Sequence, residues 1–201
     1  MVFACPDLAG GIRHVERLLG VEVTPGGQHL GLGTRNCLVG LGLDTYLEIV
    51  GPDPEQPDPT EPRWFQIDEL EDPRLVTWSA KGTDLQGIVR AAHAAGLDLG
   101  RVSAGGRIRP DGSELRWEVT DPRAERAGGV IPFFIDWADS PHPSSRLREG
   151  CSLVRLKVEH PDARDVERRL SAVGVEVPIE VGPEPRLSAT LETPMGVVEL
   201  A

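Results

Sequence analysis

The chain has 201 residues, 39% hydrophobic and 26% charged, which is enough apolar matter for a packed core and too much for a chain disordered by composition. Its 21 Lys and Arg face 32 Asp and Glu, a net −11 at pH 7 with no basic run anywhere, and this argues against nucleic acid as a partner. No apolar run approaches the roughly 20 residues of a membrane span. The N-terminus shows no signal-peptide pattern, and Cys5, Cys37 and Cys151 are widely spaced, so a reduced, cytoplasmic protein is expected.

Taken in chain order, the first segment (1–52) reads as strand, helix, strand, strand, strand. Val2-Phe3-Ala4-Cys5 runs into Asp7, and Leu8, Ile12, Val15 and Leu18/Leu19 then recur at helical spacing until Gly20. Strands are expected over 21–23, 36–41 and 45–50. A connection (53–72) follows. From Asp44 to Asp72 there are ten acidic residues and one basic, Arg63, and five prolines fall between Gly51 and Pro62. Proline blocks helix and ladder alike, so an exposed, extended and solubilising link is expected.

The second segment (73–138) repeats the order. Leu75-Val76-Thr77-Trp78 is its strand, Asp84 its cap, and Leu85, Ile88/Val89, Ala92 and Ala95 its helical stripe, stopped by Gly96. Strands are expected over Gly105–Arg109, Glu114–Thr120 and Val130–Trp137, with an Asp111-Gly112 turn between the first two. After a linker (139–150), the third segment (151–201) offers Leu153–Val158, a helix from Asp162 to Gly174, and strands over 175–181, 186–191 and 197–200. Asp7, Asp84 and Asp162 lie 77 and 78 residues apart, and the Asp-to-Gly distances are 13, 12 and 12. Asp suits the N-cap and Gly the position after the helix. The expected fold is therefore α+β: two βαβββ units whose curved mixed sheet encloses a cup, with a third, shorter unit in support. A cup of that kind is a small-molecule site. Eight of the nine aromatic residues fall between positions 46 and 137, which places the site between the first two units.

Three stretches resemble the glyoxalase-like domain branch of the vicinal oxygen chelate superfamily, which includes glyoxalase I, extradiol dioxygenases and bleomycin-resistance proteins. They are Gly27-Gln28-His29 through Gly33-Thr34-Arg35-Asn36 with Tyr46-Leu47-Glu48-Ile49-Val50-Gly51-Pro52-Asp53-Pro54; Arg109-Pro110-Asp111-Gly112 with Leu115-Arg116-Trp117; and Ile131-Pro132-Phe133-Phe134-Ile135-Asp136-Trp137 with His142-Pro143. The resemblance implies a divalent metal held by His and Glu of the strands. This chain departs from that pattern. The opening His of the branch would precede Met1, Leu75–Trp78 carries no ligand type, and Phe133-Phe134 stands where glyoxalase I has Glu. Only Glu48 sits at a ligand position, so no metal and no other cofactor is expected unless a His precedes Met1 in the gene.

Glu48 alternates with Leu47 and Ile49 and so points into the cup if the helix covers those two. There it can serve as general base, its plain alternative being a solvated or Arg-paired carboxylate. His29, in a Gly-rich connection, is its candidate partner. Thr34, Asn36, Tyr46, Trp78, Trp117, Phe134, Trp137 and His142 are the expected substrate-binding residues, although tryptophans more often serve a core. Cys37 reads as a structural thiol. Two functions stay open. One is a lyase- or isomerase-type enzyme acting on a small polar molecule; the other is a non-catalytic cup that sequesters an aromatic or cationic compound, as resistance proteins of the superfamily do. Neither nucleic acid nor membrane is an expected partner, and a homodimer is compatible with both.

Overall fold

The computed structural model describes residues 1–108 and 111–201; Arg109, which closes the strand expected over Gly105–Arg109, and Pro110, which follows it in one of the three resembling stretches, lie outside the described residues. The chain begins with β1 (Val2–Ala4) and α1 (Leu8–Leu19). Asp7 caps α1 by accepting from the Ala9 and Gly10 amides at 3.1 Å each, and Gly20 ends it in the left-handed conformation. Leu8, Val15 and Leu19 are buried. Gly11 shares their face because a Cβ there would stand 2.1 Å from Cys5 Sγ. Next come β2 (Thr24–His29), β3 (Thr34–Gly40) and β4 (Tyr46–Pro52).

The strand expected at 21–23 is displaced to Thr24–His29, so His29 belongs to a strand and not to a loop. Pro25-Gly26-Gly27 reads as a turn in isolation. Here the glycines let neighbouring strands approach. A Cβ at Gly26 would lie 2.0 Å from Asn36 Oδ1, and one at Gly27 would lie 2.5 Å from the Ile108 carbonyl oxygen.

The second half supplies β5 (Arg74–Thr77), β6 (Ser79–Lys81), α2 (Leu85–Ala94), β7 (Ser103–Ile108), β8 (Glu114–Val119) and β9 (Phe133–Asp136). Asp84 caps α2 through the Gly87 amide at 2.8 Å. All nine strands form one mixed sheet in the order β5-β1-β4-β3-β2-β7-β8-β9-β6. β5 lies antiparallel on β1 while β6, beyond Trp78, lies parallel on β9, so a single stretch of chain joins the two ends of the sheet. The halves also meet where Gln28 of β2 pairs with Ile108 of β7. The result is a curved, nearly closed sheet.

Alternation sorts its side chains onto two sides. Phe3, Leu47, Ile49 and Phe134 face outward to the core that α1 and α2 cover. Val2, Val50, Leu115, Trp117, Val119, Phe133, Ile135 and Trp137 face inward.

The acidic connection departs from expectation. Residues Trp64–Glu69 form a 3-10 turn that folds back over the concave side, with Ile67 buried among the inward residues. Arg63, the lone cation of the segment, holds this strap. It donates to Asp58 at 2.5 Å, to Asp68 at 2.6 Å and to the Gly33 carbonyl at 2.9 Å. The prolines shape the route, and Arg63 gathers charges that would otherwise repel.

The C-terminal segment has the expected string of elements: β10 (Ser152–His160), α3 (Ala163–Ala172), β11 (Ile179–Val181), β12 (Arg186–Thr193) and β13 (Gly196–Leu200). Its sheet order is β11-β10-β12-β13, whereas residues 1–52 give β1-β4-β3-β2. It is therefore not a third copy of the first segment. The parallel neighbour of β10 is β11, whereas that of β1 is the last strand β4, and the turn after Thr193 keeps β13 beside β12. Val166, Leu170, Leu187 and Leu191 join the same core as Leu75 and Leu85. No helix among the described residues is long and apolar enough to cross a membrane.

Candidate functional site

The inward side chains do not fill the curved sheet completely. A cavity of about 40 Å³ remains, lined by His29, Asn36, Leu38, Tyr46, Glu48, Trp64, Phe65, Arg107, Trp117, Val119, Phe133, Ile135 and Trp137. Its polar end is built by β2, β3, β4 and β7, which bring His29, Asn36, Glu48 and Arg107 together from four strands. The rest of the wall is apolar and mostly aromatic. Trp117 packs against Trp137 at 5.4 Å and Phe65 against Phe133 at 5.8 Å between ring centroids. Gly105 leaves room for Trp117, whose Nε1 would stand 2.4 Å from a Cβ there.

Asn36 is the hub of the polar end. Its Oδ1 accepts from Arg107 Nη1 at 2.7 Å, and its Nδ2 donates to Glu48 Oε1 at 2.6 Å and to His29 Nε2, 3.2 Å away. The guanidinium and the carboxylate fix which end of the amide is which. That orientation makes His29 Nε2 an acceptor and puts the ring proton on Nδ1, where it donates to Thr34 Oγ1 at 3.0 Å. Burial and the nearby Arg107 charge keep the imidazole below its ordinary pKa, outweighing the Glu48 carboxylate 3.8 Å away. His29 is thus neutral and oriented. Burial also raises the Tyr46 phenol.

The alternation argument for Glu48 holds. Leu47 and Ile49 are fully buried on the helix side, and Glu48 and Tyr46 line the cavity. Other expected site residues lie elsewhere. Phe134 faces the helices and its neighbour Phe133 lines the cavity, because a strand reverses its face at each residue. Trp78 belongs to the helix-side packing and donates Nε1 to the Val130 carbonyl at 2.7 Å. Thr34 touches His29 without lining the cavity. His142 caps the short turn Pro143–Arg146 and packs on Tyr46 and Trp137 at 5.5 and 5.9 Å, behind the wall.

Trp64, Phe65 and Arg107 went unnamed by sequence reasoning. The two rings come from the segment read as solubilising. Arg107 had one signal, an arginine inside an expected strand beside two glycines.

The residues do not fit a divalent metal. Among the described residues no three of His, Cys, Asp and Glu converge. Only His29 and Glu48 meet here, bridged by an amide whose oxygen is already held by a guanidinium.

Against known proteins, the model of a glyoxalase-like domain matches residues 1–174. No curated protein matches the sequence. A hypothetical protein from Staphylococcus aureus has a similar fold, with TM-score 0.67 at 13% identity over 96% of this chain and 89% of that one. Methylmalonyl-CoA epimerase from Mycobacterium tuberculosis aligns at TM-score 0.43 and 18% identity over 68% of this chain and 85% of that one. The Streptomyces coelicolor epimerase aligns at 0.44 and 17%, over 71% and 94%. With the family model covering both halves of the curved sheet, the chain belongs to the glyoxalase-like domain family of the vicinal oxygen chelate superfamily.

Proposed function

We propose that this chain catalyses an isomerase- or lyase-type proton transfer on a small molecule bound in the cup, with Glu48 as general base. The observation that carries this reading is the Asn36 clamp, which holds one oxygen of Glu48 at 2.6 Å and leaves Oε2 without a hydrogen-bond partner among the described residues at the cavity wall. A carboxylate fixed in this way and flanked by a neutral imidazole can accept a proton from an acidic C–H; the electron pair left behind moves onto an adjacent carbonyl oxygen. Arg107, at the same wall, supplies positive charge toward that oxygen. His29 positions the clamp and shares its hydrogen bonds. The apolar wall excludes water, as such chemistry requires.

A second reading has its own support. The aromatic lining and the acidic chain favour sequestration of an aromatic or cationic compound without turnover. One experiment separates the two. A thermal-shift screen of small carbonyl compounds and cationic antibiotics finds a ligand, and Glu48→Gln is then assayed with it. Turnover lost by about 100-fold or more fits the base; a ligand that is never converted, bound more weakly by the variant, fits sequestration.

A further inference from the structure

The cup has a much larger neighbour. A cleft of about 630 Å³ lies beside it, between the strap, the loop of residues 122–129 and the start of β12. Phe65 lines both spaces. Its ring lies against Phe133 at 5.8 Å, and Arg126, on the cleft side, sits over the Phe133 ring at 5.9 Å. Phe65 and Gln66 hold left-handed backbone, φ 63° and 55°, without being glycine. Such a conformation persists only where surrounding contacts impose it.

Five arginines from four parts of the chain line this cleft: Arg63, Arg74, Arg123, Arg126 and Arg186. Arg63 is spent on Asp58 and Asp68. Arg126 is 7% exposed, and its Nη1 donates only to the carbonyls of Asp121, Pro122 and Ala124. Its Nε is buried without a partner. Arg123 donates to the Pro62 carbonyl. Arg74 and Arg186 are exposed, and their guanidiniums bond to no other described residue. Four guanidiniums with no carboxylate within 4 Å among the described residues thus gather in one cleft of a chain that has 32 acids to 21 bases. Glu69, Glu125 and Glu184 also line the cleft without pairing them, and Glu125 accepts the Gly128 amide instead. Unpaired guanidiniums at a concave surface are receptors for carboxylate or phosphate oxygens.

We propose that the cleft and the cup are two chambers of one binding site, parted by Phe65, and that the cleft takes an anionic group carried by the ligand. This rests on the cup reading above and narrows the ligand to one with a compact head and a carboxylate- or phosphate-bearing tail. A 40 Å³ cup cannot admit such a head while Phe65 is in place, so the ring swings toward the cleft or aside as the ligand enters.

Calorimetric titration of the full chain with inorganic pyrophosphate at low salt tests the anion chamber. Arg74→Gln with Arg186→Gln is expected to weaken binding about tenfold or more. The charge-matched pair Arg17→Gln with Arg90→Gln, on α1 and α2 away from the cleft, is expected to stay within about twofold. Equal losses in the two pairs, or no binding by the native chain, overturn the proposal. For the partition, phenyl phosphate is expected to shift the tryptophan emission of the native chain, because Trp64, Trp117 and Trp137 line the cup, while inorganic phosphate does not. Phe65→Ala is expected to tighten phenyl phosphate by about tenfold. An emission unmoved by phenyl phosphate, in the native chain and the variant alike, overturns the second chamber. Pyrophosphate titrates the cleft alone, so the readings fail separately. Turnover lost in Glu48→Gln beside a native chain blind to pyrophosphate refutes the anion chamber and keeps the base; pyrophosphate binding beside an indifferent Glu48 does the reverse.

Discussion

Asn36→Leu removes the hub of the polar end with little change of volume. Three partners lose a hydrogen bond: Arg107 Nη1 at 2.7 Å, Glu48 Oε1 at 2.6 Å and His29 Nε2 at 3.2 Å. Bonds to charged groups contribute about 1.5–3 kcal/mol each and a neutral one about 1. The Glu48 side chain is 14% exposed, so water recovers part of the loss. The expected destabilisation is about 3 kcal/mol, or roughly 6–12 °C in Tm for a chain of this size. Urea unfolding, read at the midpoint with an unchanged slope, measures it. A double-mutant cycle with Arg107→Met should show coupling of about 1 kcal/mol or more, because the second change finds its partner already gone. A cost of Asn36→Leu under about 1 kcal/mol, or additive costs in the cycle, would refute the hub.

His29 gives the pH dependence. Its folded pKa lies below the ordinary 6.5, so the folded chain binds fewer protons, and the stability present above pH 6.5 is lost as pH falls through the lowered value. His29→Gln should flatten the urea midpoint as pH falls below about 6.5; an unchanged slope would count against a buried neutral imidazole. Gly26→Ala places a Cβ 2.0 Å from Asn36 Oδ1 and 2.4 Å from Arg107 Nη1, and should cost about 1–3 kcal/mol in thermal unfolding. Gln66→Gly relieves a left-handed residue at φ 55° and should be neutral or stabilising by about 0.5 kcal/mol, where a glycine elsewhere on the surface would destabilise. Chelator treatment should leave Tm unchanged, since only two ligand-type side chains meet in the cup. A fall of several degrees would mean that a metal is held.

The parts legible in the sequence are those set by local rules. Asp caps, left-handed glycines and helical stripes place α1 and α2, and alternation about Leu47 and Ile49 turns Glu48 inward. What the sequence conceals is pairing. The C-terminal segment has the expected element string, yet β11 takes the place beside β10 that another strand holds in the first segment. A one-residue choice of face separates Phe133 from Phe134, and nothing local decides it. The strap was hidden for another reason. Its composition is that of a solvated link, and only the long-range reach of Arg63 to the Gly33 carbonyl folds it over the cup. The His29–Asn36–Glu48–Arg107 set was three-quarters visible by residue type, and its fourth member depends on two glycines in another strand.

The stretch Arg74–Lys81 serves β1 with its first part and β9 with its second. The terminal strands of the nine-stranded sheet therefore run into one another, and the loop after Arg126 covers the join through the Thr77 and Trp78 hydrogen bonds to Gly129 and Val130. In that sheet β5 and β6 are the end strands, and its halves cannot be exchanged between two copies without tearing this stretch from one neighbour. The C-terminal sheet ends in β11 and β13, and β13 carries Val197 at 74% exposure beside Met195 at 66%. Strand-on-strand association through the C-terminal sheet would therefore use β11 or β13, in the same small sheet whose β12 begins at the cleft wall.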